Sequence, residues 1–228
     1  MFPLKDDIPV RRIPIVTLGL VAASVGVFAW QVGWSGSFEG SVNWLGLVPA
    51  DLVAPASLGV PPVEKLLTSM FAHGSLLHLG SNMLFLWIFG NNVEDVMGRG
   101  RFAGFYLLCG LGAAAAQVAS DPASAIPMVG ASGAIAGVLG AYLLLFPRAR
   151  VLAIVPIFVF IRLIWIPAAV FLVLWFLFQV LGGLASGGEP GGVAFWAHVG
   201  GFVAGLMLVK PFVGDDWPSP RRAARMSW

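Results

Sequence analysis

Residues 130–141 read GASGAIAGVLGA, a glycine-rich apolar stretch with one hydroxyl, that of Ser132, near its start. Small residues at this density are typical of a transmembrane helix whose neighbours approach closely. A polar side chain in such a helix either bonds to a neighbouring helix or belongs to a functional site. The rest of the chain decides between these two interpretations of Ser132.

Composition indicates an integral membrane protein. Hydrophobic residues make up 58% of the 228 residues and charged residues 11%, whereas soluble domains carry about 25% charged residues. The thirteen basic residues are scattered rather than clustered, so we expect no nucleic-acid partner. The lone Cys109 provides neither a disulfide framework nor a CxxC metal or redox site.

Apolar windows of bilayer-spanning length predict six transmembrane helices. The segment from Val151 to Trp165 is apolar but contains Pro156 and Arg162, so we interpret it as an interfacial connection and not as a span. The sequence therefore predicts an all-α, six-helix membrane domain over residues 13–213, with cytoplasmic tails at residues 1–12 and 214–228. The six windows are residues 13–34, 77–97, 101–120, 131–147, 164–184 and 193–213.

Charge predicts the orientation of these spans. With a cytoplasmic N-terminus, twelve of the thirteen basic residues lie inside and only Lys65 lies outside, as the positive-inside rule requires. We therefore expect a multi-pass protein, placed in a bacterial inner membrane, with both termini in the cytoplasm. The outer loop at residues 35–76 is apolar and interrupted by prolines, so we expect it to form short amphipathic helices at the outer leaflet.

Four polar side chains fall at one depth in this arrangement. Spans two, four and six start on the outer side, and each residue advances about 1.5 Å along a helix. His78 and Asn82 lie in the first turns of span two, Ser132 in the first turn of span four, and His198 in the second turn of span six. Intramembrane polar residues at one level indicate a functional site.

Ser132 and His198 are suited to act as a nucleophile and its general base. Their approach requires close packing of spans four and six, for which Gly133 and Gly201 begin small-xxx-small patterns that end at Gly137 and Gly205. No carboxylate lies at this depth, so the sequence predicts a dyad and not a triad.

Three further groups could stabilise an oxyanion beside this pair. They are the Asn82 amide, the His78 imidazole and the Ser132 backbone N–H at a helix N-terminus. Gln179 on span five is a lone polar residue that we expect to bond between helices. Trp175 is interpreted as an interfacial or lipid-facing aromatic residue, and Glu94 as part of a charge cluster at the inner face.

Three motifs in this order resemble the rhomboid family of intramembrane serine proteases. They are Gly-Ala-Ser-Gly at 130–133, His73-xxxx-His78-xxx-Asn82, and Ala197-His198-xx-Gly201-xxx-Gly205. The resemblance covers about residues 13–213 and implies hydrolysis of a peptide bond in or near a substrate's transmembrane segment.

The family's residue roles transfer to matching positions of this chain. Ser132 matches the nucleophile, His198 the general base, and His78 with Asn82 the oxyanion donors. Gly130 matches the glycine that opens the GxSG motif. His73 matches a histidine at the end of the first outer loop, where we expect it to tie loop backbone groups.

Two positions depart from the family pattern. Ala136 stands where several members carry a tyrosine that packs on the catalytic imidazole, so another side chain must orient His198. Glu64-Lys65 stands where many members have a Trp-Arg pair.

Two other classes of function remain open on the sequence. His73, His78 and His198 could ligate haem or a metal in a redox or transport protein, and an inactive rhomboid-like protein would only bind membrane clients. The hypothesis of a rhomboid-type protease implies no cofactor and no metal. It implies transmembrane protein substrates that approach from the lipid between spans two and five, with the loop at residues 186–192 as a cap.

Overall fold

The computed structural model describes residues 1–33, 36–53, 63–157, 160–186 and 193–214. It confirms a helical membrane bundle. Among these residues, four helices are long and apolar enough to cross a bilayer: α1 (Ile15–Val32), α7 (Arg99–Ser120), α9 (Ala168–Ala185) and α10 (Phe195–Val213). The other elements at the predicted spans are α5 (Leu76–Phe85), a π-helical segment (Leu86–Gly90), α6 (Asn91–Met97) and the short α8 (Ser132–Leu145).

The loop after α1 contains short helices, as the prolines predicted. They are α2 (Phe38–Leu45), α3 (Pro49–Val53) and α4 (Lys65–Thr68). Ser37 caps α2, because its hydroxyl accepts a hydrogen bond from the Gly40 N–H at 2.9 Å. The predicted cap at residues 186–192 lies outside the described residues from 187 onward, and the predicted C-terminal tail does so from 215 onward.

Helix α8 forms the centre of the bundle. Eleven of its fourteen residues are buried, so it is surrounded by protein and not by lipid. Its length is about 21 Å at 1.5 Å per residue, which is less than the hydrocarbon thickness of about 30 Å. One end of α8 must therefore lie below the membrane surface.

Glycines allow α8 and α10 to touch along their backbones. A Cβ on Gly201 would collide with the Gly133 carbonyl oxygen, and a Cβ on Gly205 would collide with the Gly137 carbonyl oxygen. Both contacts lie on the small-xxx-small faces that the sequence predicted. This packing brings the first turn of α8 next to the beginning of α10.

A three-stranded antiparallel sheet was not predicted. Strands β2 (Arg150–Ile157) and β3 (Phe160–Pro167) form a hairpin, and β1 (Phe2–Asp6) pairs with β2. The predicted start of span five at residue 164 was therefore wrong: α9 begins at Ala168, after Pro167 ends the strand. Residues Phe2–Asp6, expected in a tail, are held by pairing with a segment almost 150 residues away.

Glu94 was predicted to belong to a charge cluster at the inner face, but its side chain has another role. Its side chain is 3% exposed, and its carboxylate accepts hydrogen bonds from the Val16 N–H at 2.9 Å, the Thr17 N–H at 2.7 Å and the Thr17 hydroxyl at 2.8 Å. These N–H groups belong to the first turn of α1 and have no acceptor within that helix. Glu94 thus caps α1 from a neighbouring helix, where a negative charge also favours the helix dipole.

Candidate active site

Ser132 and His198 are brought together by the contact between α8 and α10. The Ser132 hydroxyl lies 2.7 Å from His198 Nε2, although the residues are 66 positions apart in sequence. Ser132 is the first residue of α8, so its backbone N–H has no acceptor within the helix. His198 is 9% exposed. The geometry is that of a hydroxyl bonded to a base at the edge of a buried site.

His78 and Asn82 face the same place from α5. Both point toward Gly130, because a Cβ on Gly130 would lie 2.7 Å from His78 Nε2 and 3.5 Å from Asn82 Nδ2. The Asn82 side chain is 7% exposed, and its Nδ2 is buried with no hydrogen-bond partner among the described residues. A buried unpaired donor costs free energy, so it is a candidate to bind a group that arrives with a substrate.

Glycine is required at position 130 both by the backbone conformation and by the close approach of the His78 ring. Its φ is +123°, a region that residues with a side chain rarely adopt. Its N–H donates to the Ser69 carbonyl at 2.8 Å, which fixes the loop before α8. The strained position and the imidazole beside it together exclude a larger residue.

His73 ties the end of the outer loop to α1. Its backbone N–H donates to Gln31 Oε1 at 3.0 Å, and its Nδ1 lies 3.0 Å from the Phe71 carbonyl oxygen. Burial, with the adjacent His78 ring, lowers the pKa of His73 to about 4, so the ring is neutral at pH 7 and Nδ1 is the donor to Phe71. The ring of His78 lies 5.1 Å from the ring of His73.

A cavity of about 1100 Å³ joins these groups. Ser132, His198, His78 and Asn82 all line it. Its walls also include Leu77 on α5 and Leu184 on α9, which are 80% and 68% exposed. The cavity therefore reaches from the Ser132 hydroxyl to the outer surface of two helices.

Gln179 bonds between helices, as predicted, but the sequence did not identify His198 as its partner or as a neighbour of Trp175. Gln179 Oε1 lies 2.8 Å from His198 Nδ1. Trp175 was interpreted only as an interfacial or lipid-facing residue, but its half-buried ring lies 5.8 Å from the His198 ring and 6.2 Å from that of Phe202. Both are side chains of α9 that contact the His198 ring.

Depth could have revealed Gln179. Helix α9 ends at Ala185, so Gln179 lies about two turns before that end. His198 lies in the first turn of α10, at the same end of the bundle. The depth estimate covered spans two, four and six, which begin on the outer side, and did not include Gln179 on span five.

A family model described as the rhomboid domain matches residues 62–214. The chain belongs to the rhomboid family. The family model thus includes every motif on which the resemblance was based.

Several curated relatives match shorter parts of this rhomboid. It is 44% identical over 79 residues to the rhomboid protease GluP of Bacillus subtilis, covering 35% of this chain and 15% of GluP. It is 34% identical over 95 residues to the mitochondrial Rhomboid protein 1 of Saccharomyces cerevisiae, covering 40% of this chain and 28% of that protein.

A longer match is to the mitochondrial presenilin-associated rhomboid-like protein of Mus musculus. This chain and the mouse protein are 35% identical over 148 residues, which cover 56% of this chain and 39% of the mouse protein. The chain thus spans well under half the length of these relatives.

A metal or haem site would require the histidine side chains to have ring nitrogens available as ligands. Both ring nitrogens of His198 lie within hydrogen-bond distance of a side chain, Ser132 on one side and Gln179 on the other. Among the described residues, no group of three or more His, Cys, Asp or Glu side chains converges.

Proposed function

We propose that this rhomboid is an intramembrane serine endopeptidase that cleaves transmembrane protein substrates with a Ser132–His198 dyad. The observation that carries the proposal is the 2.7 Å hydrogen bond between Ser132 and His198 Nε2 at the wall of a cavity. The unpaired Asn82 donor beside it supports the same reaction. The relative named as a protease, GluP, adds support from outside the chain.

In the proposed first step, Ser132 Oγ attacks the scissile carbonyl carbon while its proton passes to His198 Nε2. The carbonyl π electrons move onto oxygen, and this oxyanion is bound by Asn82 Nδ2, His78 and the Ser132 N–H. The tetrahedral intermediate collapses, the C–N bond breaks, and the amine leaves with the proton from His198. An acyl ester on Ser132 remains.

Water completes the cycle. It gives a proton to His198 and attacks the ester carbonyl, and collapse of the second intermediate returns that proton to Ser132 Oγ as the acid product leaves. The reaction needs no metal and no cofactor. Each charged intermediate is short-lived and lies where the oxyanion donors already point, so little reorganisation is needed.

The substrate would enter the cavity sideways from the bilayer. The exposed Leu77 and Leu184 of α5 and α9 support an entry between these helices, which correspond to spans two and five. An unwound segment is required, because a regular helix buries its carbonyl groups in its own hydrogen bonds. We therefore expect substrates with small or helix-breaking residues near the cleavage site.

The proposed membrane arrangement has both termini in the cytoplasm and the cavity open to the outer side, in a bacterial plasma membrane. Twelve of the thirteen basic residues then lie inside. Cysteine labelling from each side would test it: a cysteine placed at Glu39 is expected to react from outside, and labelling from the cytoplasmic side only would overturn the orientation.

The test of the function is cleavage of single-span substrates by the full chain in liposomes. Wild type is expected to cleave, and Ser132→Ala and His198→Ala to be inactive while remaining folded. Ser120→Ala is the matched control, because Ser120 also lines the cavity and its hydroxyl donates to the Gln117 carbonyl of its own helix. Full activity in Ser132→Ala would overturn the proposal, and client binding without cleavage by wild type would favour the client-binding alternative.

A further inference from the structure

We infer that Gln179 is the positioning residue of His198, an inference that rests on the proposed protease function. Three side chains from three helices form one line of contacts. Gln179 Oε1 of α9 lies 2.8 Å from His198 Nδ1 of α10, and His198 Nε2 lies 2.7 Å from the Ser132 hydroxyl of α8. A neutral amide thus stands where serine proteases with a triad have a carboxylate.

The orientation of the Gln179 amide is fixed by a second contact. Its Nε2 donates to the Trp175 carbonyl oxygen, 3.2 Å away and one turn earlier in α9. A carbonyl oxygen accepts from an NH₂ group but forms no hydrogen bond with another oxygen. The Gln179 NH₂ therefore faces Trp175, and Oε1 faces His198.

This orientation selects one tautomer of the imidazole. Because Oε1 can only accept, His198 Nδ1 must carry the proton, and a neutral ring then has its free lone pair on Nε2. That lone pair is directed to the Ser132 hydroxyl. In the opposite tautomer Nε2–H would donate to the Ser132 oxygen, so Nε2 could not accept the serine proton, and two acceptors would face each other at Nδ1.

Packing limits the orientations and hydrogen-bond partners that the His198 imidazole can adopt. Gln179 and His198 are each 9% exposed, so a broken contact would not be replaced readily by water. The Trp175 ring lies against the imidazole at 5.8 Å between centroids. The Trp175 ring thus packs against the His198 imidazole. The Trp175 backbone carbonyl also accepts a hydrogen bond from the Gln179 amide, which contacts the same imidazole.

A neutral amide limits what Gln179 can contribute. It can align the ring and accept a hydrogen bond from the imidazolium, but it carries no charge to balance that cation. The Asn of Cys-His-Asn proteases has the comparable position. We therefore expect loss of the amide oxygen to slow the chemical step by 10-fold to 100-fold, a smaller effect than loss of His198.

The test compares two substitutions of similar length in the full chain in liposomes. Gln179→Met removes the acceptor, and Gln179→Glu retains an acceptor oxygen facing Nδ1. Gln179→Met is expected to lower kcat and the rate of fluorophosphonate labelling of Ser132 by 10-fold to 100-fold, with KM changed less than two-fold. Gln179→Glu is expected to recover at least a third of the wild-type labelling rate. Leu181→Met, at a position 59% exposed on the same helix, is the control and should match wild type.

The outcomes separate this inference from the proposed function. If wild type is labelled at Ser132 and Gln179→Met is labelled at the same rate, the positioning role is wrong while the protease survives. If both Gln179 variants lose activity together with thermal stability, Gln179 is a structural contact, and the inference is overturned. If wild type itself is neither labelled nor active, the proposed function fails.

A second measurement needs no variant at residue 179. The chain has three histidines, so ¹⁵N spectra of histidine-labelled protein are simple to assign with His198→Ala as the reference. A protonated Nδ1 and an unprotonated Nε2 are expected for His198 at neutral pH. A protonated Nε2 in the neutral ring would overturn the inference.

Discussion

Gly205 of α10 lies so close to the Gly137 carbonyl of α8 that a single β-carbon on Gly205 would overlap this oxygen. The obstacle is backbone and not the end of a flexible side chain, so neither helix can yield without moving its neighbours. This contact and the equivalent one between Gly201 and Gly133 set the distance between α8 and α10. The distance between Ser132 and His198 follows from it.

Gly205→Ala is expected to separate the two helices and to destabilise the protein by about 3 kcal/mol. Thermal unfolding in detergent, followed by fluorophosphonate labelling of Ser132, would measure both effects. Gly19→Ala is the matched control, since a Cβ on Gly19 in α1 would meet nothing within 4 Å. A fully stable and fully labelled Gly205→Ala protein would contradict this account of the packing.

Asn82→Ala is expected to lower kcat by 10²-fold to 10³-fold, the usual loss on removing one oxyanion donor. Stability should remain within about 1 kcal/mol of wild type, because Asn82 Nδ2 has no partner to lose among the described residues. Steady-state kinetics and thermal unfolding check the two halves of the prediction. An Asn82→Ala protein that is unstable but normally active would show that the amide is structural.

Glu94→Ala is expected to lower the free energy of unfolding by about 3 kcal/mol, because the part-buried N–H of Val16 and the two buried donors of Thr17 lose their acceptor. The variant should also show faster backbone hydrogen exchange at the start of α1. Asp95→Asn is the control, because the Asp95 carboxylate accepts an exposed hydrogen bond from the Arg11 N–H at 3.2 Å. Equal effects of the two substitutions would argue against capping of α1 by Glu94.

Asp6 is expected to make stability fall as the pH rises. Burial raises the pKa of Asp6 to about 6 from its ordinary value of 3.8, and the hydrogen bond from Tyr142 offsets part of this rise. The folded state therefore holds the proton more tightly than the unfolded state. Its contribution is complete below about pH 3.8 and is lost as the pH passes about 6.

Unfolding of wild type and Asp6→Asn between pH 4 and pH 7 would measure this contribution, which is on the order of 2 kcal/mol. The difference in stability between the two proteins should shift by that amount in favour of Asp6→Asn as the pH rises. His73 acts in the opposite direction, since its lowered pKa of about 4 costs stability as the pH falls. It is common to both proteins and cancels in the difference, so a difference independent of pH would be the contradicting result.

The local pattern of apolar residues was sufficient to locate most of the membrane helices in the sequence. Apolar windows located them because a bilayer requires about 20 apolar residues and complete backbone hydrogen bonding, both of which can be read along one segment. The depth of His78, Asn82, Ser132 and His198 followed from helix rise together with the direction of each span. The predicted division into tails and a membrane domain stays a prediction.

The sheet could not be predicted in the same way. Strand β1 pairs with β2 across almost 150 residues, and nothing in residues 2–6 by itself identifies that partner. Residues 164–167 are as apolar as the helix that follows them, so hydropathy extended the fifth span into a strand.

The sequence by itself determined the family motifs, the apolar helices and the shared depth of Ser132 and His198, because these depend on composition, spacing and rise along single helices. Tertiary structure alone decided that Gln179 and Trp175 contact His198, and that Glu94 caps α1. Such contacts depend on the rotation of each helix about its axis and on which face meets which neighbour. Packing of the whole bundle sets these quantities, and the glycine contact between α8 and α10 is the part of that packing that joins Ser132 to His198.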